Sequence, residues 1–374
     1  YNRIRQALRE VSPLICFSVK SNSNLAVLKV LLCAGAGLDI VSGGELYRAK
    51  LVKADPKKIV YAGVGKKRDE IMDAIRYGIL FFNIESQEEL ELINKCAREA
   101  ERKVNVAVRI NPDVDVSTHD YITTGKGCTK FGVDFRTARV IFRSGWRYRN
   151  AVIKGVHIHI GSQILSPQPF MRAIKKVLDF LEENEIFVEY LNIGGGMGIV
   201  YSLEKPQSAA RFAGGILPLV LKSGLKLILE PGRFISGNSG IMVTKVLYRK
   251  KTGRKRFIIV DSGMNDLIRP SLYSAYHTTL PVTKPAKNVK RIKCDVVGPI
   301  CETGDFLARD RNLASLRQGD LIAVMGAGAY GYAMSSNYNS RPRAPEVMVN
   351  GNKFSVVKRR ETYRDLVKGE SVRG

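Results

Sequence analysis

The chain has 374 residues, of which 45% are hydrophobic and 25% are charged, and it carries a formal net charge of +25. This composition is ordinary for a soluble globular protein of two domains, or of one barrel with an addition. No apolar run approaches the roughly 18 residues of a membrane span, and no signal peptide is visible. The six cysteines form no CxxC pair and the four histidines are scattered, which argues against a disulfide framework and a metal centre. We therefore expect a cytoplasmic protein with no membrane partner and no bound metal.

The positive charge is the unusual feature of the composition, with 60 Lys and Arg residues against 35 Asp and Glu. Such an excess is found in nucleic-acid-binding proteins. However, the basic residues are spread along the chain, with the densest runs at Lys250–Arg256 and Lys358–Arg360. No DNA- or RNA-binding motif accompanies them. We interpret the charge as a solvated surface that attracts anionic ligands, and we expect no nucleic-acid partner.

The chain begins with Tyr1 rather than Met, and we expect that a further segment precedes it. Tyr1–Glu10 is predicted to form a helix, because Ile4 and Leu8 are spaced to share one face.

From Leu14 to Leu229, apolar runs typical of strands buried on both faces alternate with amphipathic segments typical of helices. The eight runs are Leu14–Val19, Leu38–Val41, Ile59–Ala62, Leu80–Ile84, Val104–Ile110, Val152–Ile160, Tyr190–Ile193 and Leu225–Leu229. The helical segments include Asn24–Leu31, Gly44–Leu51, Arg68–Ile75, Ser86–Ala100, Pro167–Leu181 and Ser208–Leu221. This alternation predicts an α/β fold, a (β/α)8 TIM-type barrel over residues 1–238. A doubly wound open sheet is the alternative, and the count of eight favours the barrel.

Polar side chains stand at the ends of these runs, where the active sites of (β/α)8 barrels lie. Lys20 follows the first run and Glu230 follows the last, while Asp39, Arg109 and His159 lie at three other ends. A pyridoxal phosphate enzyme needs a lysine that binds the cofactor covalently and a carboxylate that keeps the pyridine nitrogen protonated. The set therefore predicts a pyridoxal phosphate site.

Each of these residues also has a simpler interpretation. Lys20 is compatible with a solvated loop lysine, Asp39 with a helix cap, and Arg109 with a structural ion pair. His157 and His159 face the same side of their strand because they are two positions apart, and we assign His157 to the core. Taken together, the strand-end residues favour a functional site more strongly than any one of them does.

Glycines follow the seventh and eighth runs, where barrels often bind phosphate. Gly194, Gly195 and Gly196 come after the seventh run and Gly232 after the eighth, and Ser162 follows the sixth. Glycine lets backbone N–H groups approach phosphate oxygens closely. The pattern predicts a phosphate site, although a triple glycine alone is also compatible with a flexible turn.

Residues 239–374 lack helical segments between strands and predict a second, mainly antiparallel β-barrel or sandwich domain. Ile241–Arg249 and Arg256–Val260 read as one hairpin, and Val347–Val349 and Phe354–Val357 as another. Gly326–Gly331 matches GxGxxG, but the sequence after it is rich in Tyr, Ser and Asn and does not resemble a helix. We therefore do not expect a dinucleotide site there.

The chain resembles the diaminopimelate decarboxylases, which belong to the alanine-racemase-like class (fold type III) of pyridoxal phosphate enzymes. The resemblance covers nearly the whole chain. It is carried by Phe17–Asn24, Asp39–Leu46, Arg109–Asp113, His157–Gln163, Asn192–Gly196, Glu230–Arg233, Met264–Tyr273, Gly298–Asp305 and Gly328–Gly331. The resemblance implies a (β/α)8 barrel followed by a β domain, with pyridoxal phosphate as the cofactor.

The resemblance also implies roles for the strand-end residues. Lys20 binds the cofactor, Glu230 holds the pyridine nitrogen and His159 stacks on the ring. Arg109 touches the ring hydroxyl, and Asp39 lies near Lys20. The remaining cofactor contacts implied are Ser162, Gly194, Gly195, Gly196, Pro231, Gly232, Arg233 and Tyr330.

For the substrate, the resemblance implies contacts from Arg233, Arg269, Tyr273, Glu302 and Tyr330. Arginines suit a distal carboxylate, which diaminopimelate has and ornithine or lysine lacks. Cys301 is the implied proton donor, reaching a site shared across a homodimer; a buried structural thiol is the simpler alternative. The reaction implied is decarboxylation of meso-2,6-diaminopimelate to L-lysine and CO2, the last step of lysine biosynthesis.

Three other functions remain as alternatives. A related decarboxylase would act on ornithine, arginine or a polyamine precursor, but Arg269 and Cys301–Glu302 favour diaminopimelate. A regulatory homologue without turnover is disfavoured because Lys20, Glu230 and Cys301 are all present. Nucleic-acid binding is suggested by charge alone and would require a steep salt dependence.

Overall fold

The computed structural model describes residues 1–115, 129–286 and 288–372. The chain divides into two compact units. The first contains Tyr1–Ile199 and Lys205–Ile235, and the second contains Val200–Glu204 and the residues from Ser236 onward. The boundary that the sequence suggests, after residue 238, stays a prediction.

The first unit is built on a closed barrel of eight parallel strands in the order of the chain. The strands are β1 Leu14–Ser18, β2 Gly37–Ile40, β3 Ile59–Tyr61, β4 Phe81–Ile84, β5 Val104–Arg109, β6 Ala151–His157, β7 Tyr190–Asn192 and β8 Lys226–Leu229. Because β1 pairs with β8, the sheet has no open edge. The predicted barrel is confirmed, and the open-sheet alternative is excluded.

A helix lies between each strand of the barrel and the next. The helices are α1 Asn2–Ala7, α2 Leu25–Cys33, α3 Gly43–Leu51, α4 Arg68–Tyr77, α5 Gln87–Glu99, α6 Phe135–Arg143, α7 Gln168–Glu183 and α8 Ala209–Ser223, followed by the short α9 Arg233–Ser236. The helix α6 was not predicted from the sequence, although Asp134 caps its start by accepting a hydrogen bond from the Thr137 backbone N–H. Ala138 and Ile141 supply its buried face, and this short i, i+3 pattern is the signal that was available.

Two strand-to-helix turns use the same capping arrangement. Before α3, Ser42 Oγ accepts from the Glu45 backbone N–H and the Glu45 carboxylate accepts from the Val41 N–H. Before α5, Ser86 and Glu89 make the corresponding bonds, with the Glu85 N–H as the second donor. Side chains that satisfy these otherwise unpaired N–H groups hold the turns rigid. The C-terminal ends of β2 and β4 are therefore well defined.

The second unit contains a six-stranded sheet in the order β11-β14-β9-β10-β12-β13. Its strands are β9 Met242–Thr252, β10 Lys255–Val260, β11 Thr279–Pro281, β12 Arg291–Val297, β13 Phe306–Ala314 and β14 Leu321–Val324. Only the β10–β12 pair is parallel within this sheet, so the predicted mainly antiparallel β domain is confirmed.

Both predicted hairpins are present: β9 pairs with β10, and β15 Glu346–Asn350 pairs with β16 Lys353–Lys358. The unit also has two short helices, α10 Arg269–Tyr273 and α11 Tyr363–Leu366. The glycine motif after β14 leads into a single 3-10 turn, Tyr332–Met334, and not into an α-helix. This agrees with the expectation that the motif is not a dinucleotide site.

Candidate active site

Lys20 lies just after β1, at the C-terminal end of the barrel strands. Its Nζ is 3.1 Å from Asp39 Oδ2, at the end of β2. Ser18 Oγ donates to the same carboxylate oxygen at 2.5 Å and lies 2.9 Å from the Glu230 carbonyl oxygen. The lysine side chain is 37% exposed, whereas Asp39 is fully buried. An amine that is reachable from solvent is thus held by a buried carboxylate.

Burial and the nearby charge of Glu230 raise the pKa of Asp39 to about 6. The positive charge of Lys20 and the hydrogen bonds from Ser18 and Lys20 oppose this rise. Near neutral pH Asp39 is ionised and pairs with Lys20, and the pair is weakened as Asp39 takes up a proton below about pH 6.

Glu230 follows β8 and lies at the centre of a buried polar cluster. Its Oε1 accepts hydrogen bonds from Asn83 Nδ2 at 2.9 Å and Asn192 Nδ2 at 2.6 Å. His157 Nε2 lies 3.2 Å from Oε2. Because a carboxylate only accepts hydrogen bonds, the histidine proton in this contact sits on Nε2. We call Glu230, His157, Asn83 and Asn192 the Glu230 cluster.

The Glu230 cluster keeps its carboxylate ionised. Burial alone would raise the pKa of Glu230, but His157, Lys20 and the Asn192 hydrogen bond outweigh burial and hold the pKa well below its usual range. An ionised carboxylate that is 3% exposed is an arrangement that can hold a protonated ring nitrogen.

His159 lies two positions beyond His157 in the chain. Burial, followed by the charges of Arg109 and Lys20, keeps the pKa of His159 well below its ordinary value. Its Nδ1 accepts a hydrogen bond from the Gly195 N–H at 3.1 Å, so that nitrogen carries no proton. The ring is therefore neutral and fixed in orientation, as suits a stacking surface.

The glycines after β7 and β8 are required by close packing. A Cβ on Gly194 would lie 2.6 Å from His159 Nδ1, and one on Gly195 would collide with the Glu230 carbonyl oxygen. A Cβ on Gly196 would lie 2.6 Å from the Gly161 carbonyl oxygen, and one on Gly232 would lie 2.9 Å from Ser18 Cβ. The Pro231 carbonyl accepts a hydrogen bond from the Ser18 N–H, which ties this turn to β1.

Two arginines that the sequence analysis singled out have partners in the barrel unit. Arg109 Nη1 forms a buried ion pair with Glu85 Oε1 at 2.5 Å. Arg109 therefore does form the structural ion pair that was its simpler interpretation. Arg233 donates to Ser162 Oγ through Nε at 3.2 Å and through Nη2 at 3.0 Å. These hydrogen bonds bring together two of the predicted cofactor contacts, Arg233 and Ser162.

The other predicted substrate residues belong to the second unit. Arg269 and Tyr273 lie on α10, and Arg269 is buried. Cys301 and Glu302 are exposed on the turn between β12 and β13; Tyr338 donates to the Glu302 carboxylate, which raises the pKa of Tyr338. Tyr330 has a φ of 57°, a left-handed conformation that is uncommon for residues other than glycine.

Several residues of the site were given no role at the level of sequence. The assignment of His157 to the core is accurate for its burial, but its ring also contacts Glu230. Asn83 and Asn192 bind the same carboxylate, and Glu85 pairs with Arg109. The available signal was a polar residue at the end of an apolar strand, at β4 and β7.

Comparison with known proteins places the chain in a family. Residues 1–237 match the family described as "Pyridoxal-dependent decarboxylase, pyridoxal binding domain". Diaminopimelate decarboxylase of Aquifex aeolicus is 48% identical over 97% of this chain and 87% of its own length. The Pseudomonas aeruginosa enzyme of the same name is 46% identical over 100% of this chain and 90% of its own.

The chain belongs to the diaminopimelate decarboxylase family. A crystal structure of the Helicobacter pylori enzyme complexed with L-lysine superposes with a TM-score of 0.92 at 40% identity, covering 98% of this chain and 94% of that one. The resemblance that the sequence motifs suggested is therefore confirmed, as is the predicted class of carboxy-lyase.

The family identifies pyridoxal phosphate as the cofactor, in agreement with the prediction, and the barrel residues fit it. A reachable amine, a buried ionised carboxylate, a neutral imidazole and closely packed glycines lie at one end of the barrel. Within residues 1–115, 129–286 and 288–372, no group of three or more His, Cys, Asp or Glu side chains could hold a metal ion. In the same ranges, no helix is both long and apolar enough to cross a membrane.

Proposed function

We propose that this chain decarboxylates meso-2,6-diaminopimelate to L-lysine and CO2 with pyridoxal phosphate as its cofactor. The observation that carries the proposal is the buried, ionised Glu230 at the end of the barrel where Lys20 meets Asp39. Membership of the diaminopimelate decarboxylase family supports the choice of substrate. The reaction is the last step of lysine biosynthesis, and we place it in the cytoplasm.

When bound, pyridoxal phosphate acts as an electron sink for the pair of electrons left as CO2 departs. Lys20 supplies the amine that binds the cofactor, and Asp39 with Ser18 orients that amine. Glu230 keeps a proton on the pyridine nitrogen. His159 would present a neutral ring face to the cofactor, and Arg109 would contact the ring hydroxyl.

We assign phosphate binding to the backbone and side-chain donors around the glycines. Gly196 and Gly232 are assigned to supply backbone N–H groups, at positions where a side chain would clash. Gly194 and Gly195 belong to the same set, but their N–H groups donate to Asn192 Oδ1 and His159 Nδ1, so their role is to let the backbone approach the phosphate closely. Pro231 shapes the turn after β8. Ser162, Arg233 and Tyr330 complete the proposed set.

Recognition of the substrate is assigned to residues with charges complementary to diaminopimelate. Arg233 and Arg269 suit the distal carboxylate, since a guanidinium can bind it through two parallel hydrogen bonds. Glu302 suits the distal ammonium group, and Tyr273 and Tyr330 are assigned to the substrate as well. Cys301 is the proposed proton donor to the carbon that loses CO2, and its exposure suits a site shared between two subunits of a homodimer.

Product analysis tests the reaction. The holoenzyme would be incubated separately with meso-diaminopimelate, ornithine and arginine, and the amine products identified by mass spectrometry. We expect L-lysine from diaminopimelate alone. Product from ornithine or arginine alone would support the related decarboxylase and overturn the assignments of Arg269 and Glu302.

Mixing two inactive variants tests the shared site. Lys20→Ala and Cys301→Ala homodimers should each lack activity, and mixed dimers should recover part of it because one site then has both residues. Light scattering would give the mass of the assembly. Absence of recovery from a proven mixed dimer would place both residues in the same subunit's site.

A further inference from the structure

Arg269 and His277 form a buried contact within the second unit. Arg269 is the first residue of α10, and His277 lies just before β11. Arg269 Nη1 is 2.9 Å from His277 Nε2. Both side chains are buried, and His277 has no exposed surface.

The partners of the His277 ring determine its tautomer. A guanidinium is always protonated and only donates hydrogen bonds, so His277 Nε2 must accept from Arg269. His277 Nδ1 lies 2.8 Å from the Met325 carbonyl oxygen, which only accepts, so Nδ1 must carry the proton. The imidazole is therefore neutral with its proton on Nδ1, and it aims a lone pair at the arginine.

Tyr201 supports the same guanidinium from another direction. The Arg269 guanidinium carbon lies 4.5 Å from the centroid of the Tyr201 ring, and the Tyr201 and His277 rings meet edge to face at 5.0 Å. Attraction between a cation and an aromatic face favours this placement. The Tyr201 ring contacts the face of the Arg269 guanidinium, and the His277 ring accepts a hydrogen bond from its edge. The plane and the direction of the guanidinium are therefore both fixed.

The backbone around His277 is itself anchored to the sheet. The Met325 N–H donates to the Thr278 carbonyl, and Thr279 pairs with Val324 in the β11–β14 ladder. Thr278 Oγ1 donates to the Tyr201 carbonyl at 2.9 Å. The two rings that hold Arg269 are thus linked to one another and to a sheet edge.

We propose that His277 is a positioning residue that holds Arg269 ready for the distal carboxylate of the substrate, and so contributes to the preference for a dicarboxylic amino acid. This inference rests on the proposed function and extends it. An arginine side chain has many rotamers, and ordering them during binding costs entropy. A guanidinium that is already oriented avoids that cost.

Steady-state kinetics of the holoenzyme with meso-diaminopimelate test the proposal. His277→Leu removes the acceptor for Arg269, and we expect KM to rise about tenfold while kcat changes by less than about threefold. His277→Gln retains a side-chain acceptor and should restore most of the lost affinity. Tyr276→Leu is the matched control, because it removes a different aromatic ring, the one beneath Arg311, and should leave KM unchanged.

The outcomes separate the inference from the proposed function. If the wild-type enzyme fails to produce lysine, the proposed function is wrong and the role of His277 falls with it. If the wild type is active but His277→Leu keeps its KM, only the role of His277 is overturned. Equal losses of kcat and cofactor content in His277→Leu and His277→Gln would also overturn the role of His277, because they would show that this histidine only maintains the structure.

The tautomer offers a second readout that is independent of turnover. Nitrogen NMR of histidine-labelled holoenzyme, with His277→Gln used to assign the signal, reports which ring nitrogen carries the proton. A proton on Nδ1 supports the contact with Arg269. A proton on Nε2 contradicts it, because two donors would then face each other.

Discussion

His157 Nε2 and Glu230 Oε2 lie 3.2 Å apart inside the barrel, and neither side chain is more than 3% exposed. This contact places His157 against the carboxylate that is proposed to hold the pyridine nitrogen, two positions away in the chain from the residue predicted to stack on the cofactor. A buried carboxylate without such a partner would take up a proton near neutral pH. His157 therefore helps Glu230 to remain charged at the pH of the cell.

Replacing His157 should change the acid limb of the pH profile. In His157→Leu, burial is opposed by fewer interactions, so the pKa of Glu230 rises. We expect the acid limb of kcat/KM for diaminopimelate to move up by about one pH unit or more. His157→Gln keeps a side-chain donor and should give a smaller shift. An unchanged acid limb in His157→Leu would show that Asn83 and Asn192 suffice.

Lys20 is expected to be the residue to which the cofactor is attached. Lys20→Ala should abolish both the absorbance of covalently bound cofactor and the decarboxylation. Borohydride reduction of the wild type, followed by peptide mass spectrometry, should find the cofactor on Lys20. Lys29→Ala, which removes an exposed lysine from α2, is the control and should retain the absorbance. Persistent absorbance in Lys20→Ala would identify another lysine as the attachment site.

Asp39 should make the stability of the apoprotein fall as pH rises. Its pKa is raised from 3.8 to about 6, so between these values the folded protein retains a proton that the unfolded chain has lost. The free energy of unfolding therefore decreases across this window, by an amount on the order of 2 kcal/mol. In Asp39→Asn this decrease should be absent.

Urea unfolding of the wild type and of Asp39→Asn, near pH 4 and near pH 7, checks this dependence. Asp69→Asn is the control, because Asp69 is exposed in the first turn of α4, and it should follow the wild type. Parallel pH dependences in the wild type and Asp39→Asn would contradict the prediction.

Gly195 and Gly214 should respond in opposite ways to the same substitution. Gly195→Ala places a methyl group against the Glu230 carbonyl oxygen, and we expect a loss of about 1–3 kcal/mol in the free energy of unfolding. Cofactor affinity should also fall, because the turn that carries Glu230 must move. In α8, Gly214→Ala meets open space and should stabilise the protein by about 0.5–1 kcal/mol. Chemical unfolding and cofactor titration of both variants measure these effects, and equal stabilities would show that the turn after β8 yields easily.

The barrel could be predicted from the sequence because its signal is local and repeated. Each apolar run such as Tyr190–Ile193 indicates a buried strand by itself, and eight of them in alternation with helices leave few arrangements. The strand ends then indicated Lys20, Asp39, His159 and Glu230 together, since parallel strands bring their C-terminal ends to the same edge. The helix α6 was missed because its apolar pattern is short.

The contacts between polar residues could not be predicted in the same way. Asn83 and Glu230 are separated by 147 positions, and only closure of the barrel brings Asn83, His157 and Asn192 around one carboxylate. The orientation of Arg269 likewise depends on His277 and Tyr201, whose rings meet only when the chain folds.

The sequence by itself determined the fold class, the family and the residue types at the strand ends, because periodicity and motifs are properties of short segments. Only the tertiary structure decided which side chains pair, which nitrogen of His277 carries a proton and which carboxyl group is ionised. These features depend on distances of a few ångströms and on exclusion of water, and both arise only when segments distant in the chain pack together.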